Sequence, residues 1–253
     1  MSSKPVITSF LVAGALALSS CKTVPMPEPS AREFAYVCAA ASGDITVDGR
    51  LDEDAWQGAE VISTFYPFTP ATDPALSPTR ARLLWTPTHL YVGIECDDDD
   101  IWSYSDQDDA ELWNGDVAEF FIRTGSGDKS FYEFVIAPSG ALFDAMHASH
   151  GGGGYRRFAG WSSGAEVAVT VNGTDGDWRD DDRGYVVELA IPLAAFSSGL
   201  PGSTPGAWTF GVFRYNYSKS FDEAQLLMSI PEAPKWGFHY YPGYRPLIFQ
   251  ARK

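Results

Sequence analysis

Val117-Ala-Glu-Phe-Phe-Ile-Arg123 and, further along, Tyr185-Val-Val-Glu-Leu-Ala-Ile191 are the stretches that decide the fold. In the first, Val117, Glu119 and Phe121 share one face of an extended chain, and Ala118, Phe120 and Ile122 share the other. In the second, Tyr185, Val187, Leu189 and Ile191 face one way and Glu188 the other. Alternation with a period of two is what a strand imposes on its side chains. Working outward, short apolar runs of the same kind occur at 81–85, 90–97, 131–137, 167–171 and 209–215. Further strands are expected at 34–38, 226–229 and 247–249.

The connections carry turn chemistry, as in Thr86-Pro-Thr-His89, Ser139-Gly140 and Asn172-Gly-Thr-Asp-Gly-Asp177. Helix is confined to two short turns, one around residues 52–57 and one at 193–196 after Pro192. Many antiparallel strands with one wet face predict an all-β protein, a two-sheet antiparallel, jelly-roll-like β-sandwich. Long irregular spans are expected at 63–79, 98–116 and 143–164, the last with its tract of four glycines. Loops of that length on a sandwich are where a site is built.

The chain has 253 residues, 45% of them hydrophobic, and a formal net charge of -15. That suits one domain with a sizeable core. The acidic balance excludes nucleic acid as a partner, because a duplex needs a basic face. Residues 1–20 read as an export signal, with Lys4 before an apolar run too short for a conventional spanning helix. Leu18-Ser-Ser-Cys21 resembles a bacterial lipobox, which implies lipidation at Cys21. Lys22 follows where inner-membrane retention signals have Asp, so the expected address is the outer membrane. Residues 21–33, with three prolines, read as a tether, and 34–253 as the folded domain. Cys38 and Cys96 lie in strand-like runs, and a disulfide and two buried thiols are both open. There is no CxxC and no Walker phosphate loop.

A set of motifs in fixed order resembles family 9 carbohydrate-binding modules and family 9-like domains, over about residues 42–249. The opening is Asp48-Gly-Arg-Leu-Asp-Glu-Asp-Ala-Trp56. Ala81-Arg-Leu-Leu-Trp85 follows, then His89-Leu-Tyr-Val-Gly-Ile-Glu95 and Leu112-Trp-Asn-Gly-Asp-Val-Ala-Glu119. Tyr132-Glu-Phe134, Pro138 to Asp144, the run from Tyr185 to Pro192, Phe213-Arg214 and Phe238-His239 complete it. The resemblance implies non-catalytic binding of a glycan at the cell envelope, of the plant-type β-glucan or xylan class, by aromatic stacking and polar contacts. It also implies separate glycan-degrading enzymes as partners.

Residue by residue, the resemblance makes Trp113 a stacking platform, six residues before Glu119 in the polar set. Both residues also have a packing reading. Trp236 is the second platform, with Trp161, Trp102, Tyr240 and Tyr241 as rivals. Arg156 and Arg157 are placed to fork onto sugar hydroxyls, and Arg214 is either a third such group or a structural ion-pair partner. Trp56 and Trp85 read as core. Some family members carry structural calcium, and Asp97 and Asp98 are the expected donors. Two rivals concern chemistry. Glu119, Glu133 and Glu188 lie on strands where a glycosidase pair would be sought. Met146, His147 and His150 offer axial ligands to a b-type haem. An envelope structural or interaction role is a further alternative.

Overall fold

The computed structural model describes residues 34–68, 76–125, 129–148, 160–196, 208–219, 224–231 and 237–250. Twelve strands form there: β1 (Tyr36–Ala40), β2 (Tyr66–Pro67), β3 (Thr79–Trp85), β4 (His89–Cys96), β5 (Val117–Arg123) and β6 (Phe131–Ile136) in the first half. They are followed by β7 (Leu142–His147), β8 (Glu166–Asn172), β9 (Gly184–Pro192), β10 (Trp208–Asn216), β11 (Gln225–Met228) and β12 (Arg245–Phe249). The single α-helical turn among them is α1 (Asp54–Gln57). The all-β expectation with short helical turns stands.

The sheet organisation differs from the expectation. The strands join into one sheet of order β7-β6-β5-β10-β12-β1-β3-β4-β9-β8, with β11 and β2 added beside β10. The joint is β1. Its first half, Tyr36 to Cys38, pairs in parallel with Leu247 to Phe249, and its second half, Ala39 and Ala40, pairs in parallel with Leu84 and Trp85. A strand that changes partner along its length keeps the hydrogen bonding continuous, so the two arms are not separate sheets. Nor is the pairing wholly antiparallel.

The arms nonetheless face one another. Phe120, Phe134 and Phe210 from one arm and Leu83, Ile94 and Leu189 from the other lie in the same buried cluster. Tyr36 fastens the joint: its hydroxyl accepts the Leu83 N–H at 2.9 Å and donates to the Glu60 carbonyl at 2.6 Å. Burial of this apolar surface is the main stabilising term.

Strand β7 lies where the sequence pointed to a loop. Its alternation is broken by Asp144, which faces inward yet is buried, because its carboxylate accepts the backbone N–H (2.8 Å) and hydroxyl (2.5 Å) of Ser163. The opening motif is also explained structurally. Glu188 accepts the N–H groups of Asp48 (2.9 Å) and Gly49 (3.1 Å) and the indole N–H of Trp56 (3.2 Å). Gly49 has φ of 81°, and a Cβ there would press on β8 at the Thr170 backbone nitrogen, 2.9 Å away. Cys38 and Cys96 are buried free thiols, which resolves their open pairing.

Candidate functional site

The two arms differ on their outer faces. Every residue of β6 and all but the last of β5 are buried on both faces, whereas β8 at the far edge of the other arm is exposed to half-buried throughout. Something therefore covers the outer face of β10, β5, β6 and β7. At one end Trp113, in the 3-10 turn Leu112–Asn114, packs edge-on to Phe143 at 5.3 Å, in a cluster with Val117, Val135 and Tyr215. At the other end Phe121, Phe131, Phe213, Phe238 and Tyr244 form a second aromatic cluster, and Tyr215 touches both.

Between the two clusters lies a polar band. Glu119 stands opposite Val135 while Phe121 stands opposite Glu133, so the two glutamates are diagonal neighbours on one face. Both are buried. Burial, and then the charge of Glu133, push the Glu119 carboxyl well above the usual range. His147 Nε2 lies 2.5 Å from Glu133 Oε2, and its ring stacks on Phe131 with centroids 4.6 Å apart at 9°. His239 stands edge-on to Phe121 at 5.3 Å and 5.0 Å from the His147 ring. Arg123 lies over the Tyr241 ring, 4.9 Å from its centroid.

The turn carrying Trp113 is held from beneath. Asp116 accepts the N–H of Trp102 (2.7 Å) and of Tyr217 (2.6 Å), and the Tyr217 hydroxyl donates to the Trp113 carbonyl at 3.0 Å. Burial, and then neighbouring Asp98, push Asp116 up to about 8.

Arg214 belongs elsewhere. It shares its face of β10 with Val212 and Phe210, pointing between the arms, and its side chain has no exposure. Its guanidinium donates to Asp98 (2.8 Å), the Asp97 carbonyl (2.9 Å) and Thr79 Oγ1 (3.1 Å). Of its two readings, the structure gives the ion-pair partner, because a fully enclosed guanidinium cannot meet a sugar.

The same contacts bear on calcium. Asp98 faces Arg214, and Asp97 pairs with Arg80 at 2.8 Å. Lys219 adds its ammonium to the carbonyls of Trp178 (3.0 Å) and Asp180 (2.8 Å). The positive charge around these acidic loops comes from the chain itself, so Asp97 and Asp98 do not fit a calcium cage. Among the described residues one group of three metal-ligating side chains gathers, and it is Glu133, His147 and His239.

The other candidates separate cleanly. Trp236, Arg156, Arg157, His150 and Cys21 lie outside the described residues. Trp161 leans on Tyr132 and Phe134 at the edge of the core, and Trp102 stacks edge-on with Tyr104 and Tyr217 among the loops. Tyr241 does lie on the outer face, 5.8 Å from Phe131. Trp56 and Trp85 pack, as expected: Trp56 is buried, and Trp85 rests edge-on to Phe249 with its indole N–H on the Gln250 carbonyl. Met146 and His147 are successive strand residues on opposite faces, so they do not flank one haem. Glu188 is on the other arm and engaged with the opening motif, so of the three glutamates only Glu119 and Glu133 share a face. Sequence reasoning did not connect Glu133, His147 and His239 into one group. Parity along β6 and β7 was the available signal, but it needed β7.

Three comparisons bear on the family. A family profile described as "Carbohydrate family 9 binding domain-like" matches residues 47–210. A protein of Arthroderma benhamiae called "Extracellular protein" is 25% identical over 182 residues, 68% of this chain and 78% of that one. Two structures of a carbohydrate binding module family 9 from Caldicellulosiruptor kristjanssonii share the fold. The glucose complex has a TM-score of 0.55 at 15% identity, covering 86% of this chain and 97% of that one. The cellotriose complex has a TM-score of 0.57 at 15% identity, covering 87% and 95%.

Proposed function

The chain belongs to the carbohydrate family 9 binding domain-like family, and from that premise we propose that it binds a glycan without catalysis on the outer face of β10, β5, β6 and β7. The observation that carries the reading is Trp113, half-buried at one end of that face and set edge-on to Phe143: an indole ring for the C–H side of a pyranose. The two related structures are complexes with glucose and cellotriose. Those ligands favour a β-glucan oligosaccharide, and the family resemblance of the sequence adds xylan and a grip on the chain end to the proposal. Trp236, Arg156 and Arg157 are proposed as further sugar contacts on the family resemblance of the sequence alone.

The same proposal places the protein in the bacterial outer membrane, held by a lipid on Cys21 through the tether of residues 21–33. Its support is the leader and lipobox-like sequence. The domain would then face the periplasm or the cell surface and work beside separate glycan-degrading enzymes.

The test is calorimetric titration of the purified protein with glucose, cellobiose, cellotriose and xylobiose. Saturable heat with an oligosaccharide, lost in Trp113→Ala, supports the reading. Absence of heat with all four sugars overturns the ligand class while leaving the family assignment intact.

A further inference from the structure

The geometry points to a transition-metal site on the outer face, built from Glu133, His147 and His239 and suited to a divalent cation such as zinc. The three residues come from β6, β7 and the 3-10 turn Gly237–His239, yet their ligand atoms all lie within 4.8 Å of one another. A tetrahedral zinc ion bound at about 2.0–2.2 Å sets its ligand atoms about 3.3 Å apart. The present 2.5 Å contact between Glu133 and His147 lies below that separation, and the 4.8 Å limit lies above it. Binding would replace the contact between Glu133 and His147.

The surroundings fix the donors. Phe131 stacks on the His147 ring at 4.6 Å, and Phe121 and Phe131 meet the His239 ring edge-on at 5.3 and 5.9 Å. Such contacts set ring orientation before a metal arrives. Glu119 lies diagonal to Glu133, so a second carboxyl group stands on the same buried face as the donor set. The chain's net charge of -15 raises the cation concentration at its surface. Two imidazoles and one carboxylate favour zinc, copper or iron over calcium, which takes six to eight oxygens. Three protein ligands leave a coordination position for water or a hydroxyl.

This inference stands apart from glycan binding, and the experiment keeps them apart. The full chain, stripped with a chelator, is titrated with zinc chloride, and bound metal is counted by mass spectrometry after dialysis. Cobalt(II) is added separately, and its visible absorption reports coordination geometry. The expected result is one zinc per chain with a tetrahedral cobalt spectrum. His239→Ala should weaken binding at least tenfold. His239 is only half-buried, so that variant is expected to keep its circular dichroism, and Glu133→Gln is the second variant. Less than stoichiometric metal in the unmodified chain would overturn the proposal. So would full binding in both variants, which would put the ion elsewhere. Sugar titration of the same samples reads the glycan proposal independently.

Discussion

Two buried acidic regions lie on either side of β10, and they are handled in opposite ways. Between the arms, Asp98 and Asp116 sit beside a guanidinium with no exposure, and the backbone supplies further donors. On the outer face, Glu119 and Glu133 have aromatic rings and imidazoles for neighbours. The first region carries its own counter-charge and so closes the structure. The second gathers two carboxyl groups and two imidazoles on one face. Burial of carboxylates is therefore no guide to function until the neighbouring cations have been identified.

The largest expected effect is on the enclosed region. Arg214→Ala leaves Asp98 buried without its partner and should cost about 3–5 kcal/mol of stability in urea unfolding. A loss under about 1 kcal/mol would mean the region is wet and the contrast is false. The pH dependence sharpens the same point. Asp116 is pushed up to about 8 in the folded chain, while in the unfolded chain it titrates near 4. Between those values the folded state holds a proton that the unfolded state has lost. Stability from this group is therefore full below about pH 4 and declines until about pH 8. Thermal melts of the wild type and Asp116→Asn from pH 5 to 8 should show this slope flattened in the variant.

On the outer face the effects should appear in binding before stability. Trp113→Ala should weaken oligosaccharide binding at least tenfold, about 1.4 kcal/mol, with a smaller loss of stability than Arg214→Ala. Glu119→Gln keeps the shape of the side chain and should change stability by less than about 1 kcal/mol, yet still lower affinity in calorimetry. The smallest effect is expected for the thiols. Burial pushes Cys96 up to about 11 and Cys38 further. Neither should react with a thiol reagent in the native state, and both should react in denaturant.

The strands were legible because alternation is written directly into β5 and β9, where apolar residues recur every second position. Strand β7 was hidden by Asp144, an inward carboxylate that only its tertiary partner Ser163 explains. The joining of the arms through β1 was not legible, since five residues give no hint that half the strand pairs to each side. Within the site, Glu119 could be placed by parity alone. Arg214 could have been placed the same way, because it follows Phe210 and Val212 on one face of β10. The convergence of Glu133, His147 and His239 rests on cross-strand register and a distant turn, which local sequence does not encode.

The central claim is that the ligand meets the outer face at Trp113. Nitrogen-15 spectra resolve the indole N–H signals, and variants assign them. Titration with cellotriose should shift the Trp113 signal, and leave those of buried Trp56 and of Trp178, exposed on the loop before β9, in place. A still Trp113 signal, with Trp102 or Trp178 moving instead, would put the ligand among the acidic loops and contradict the account.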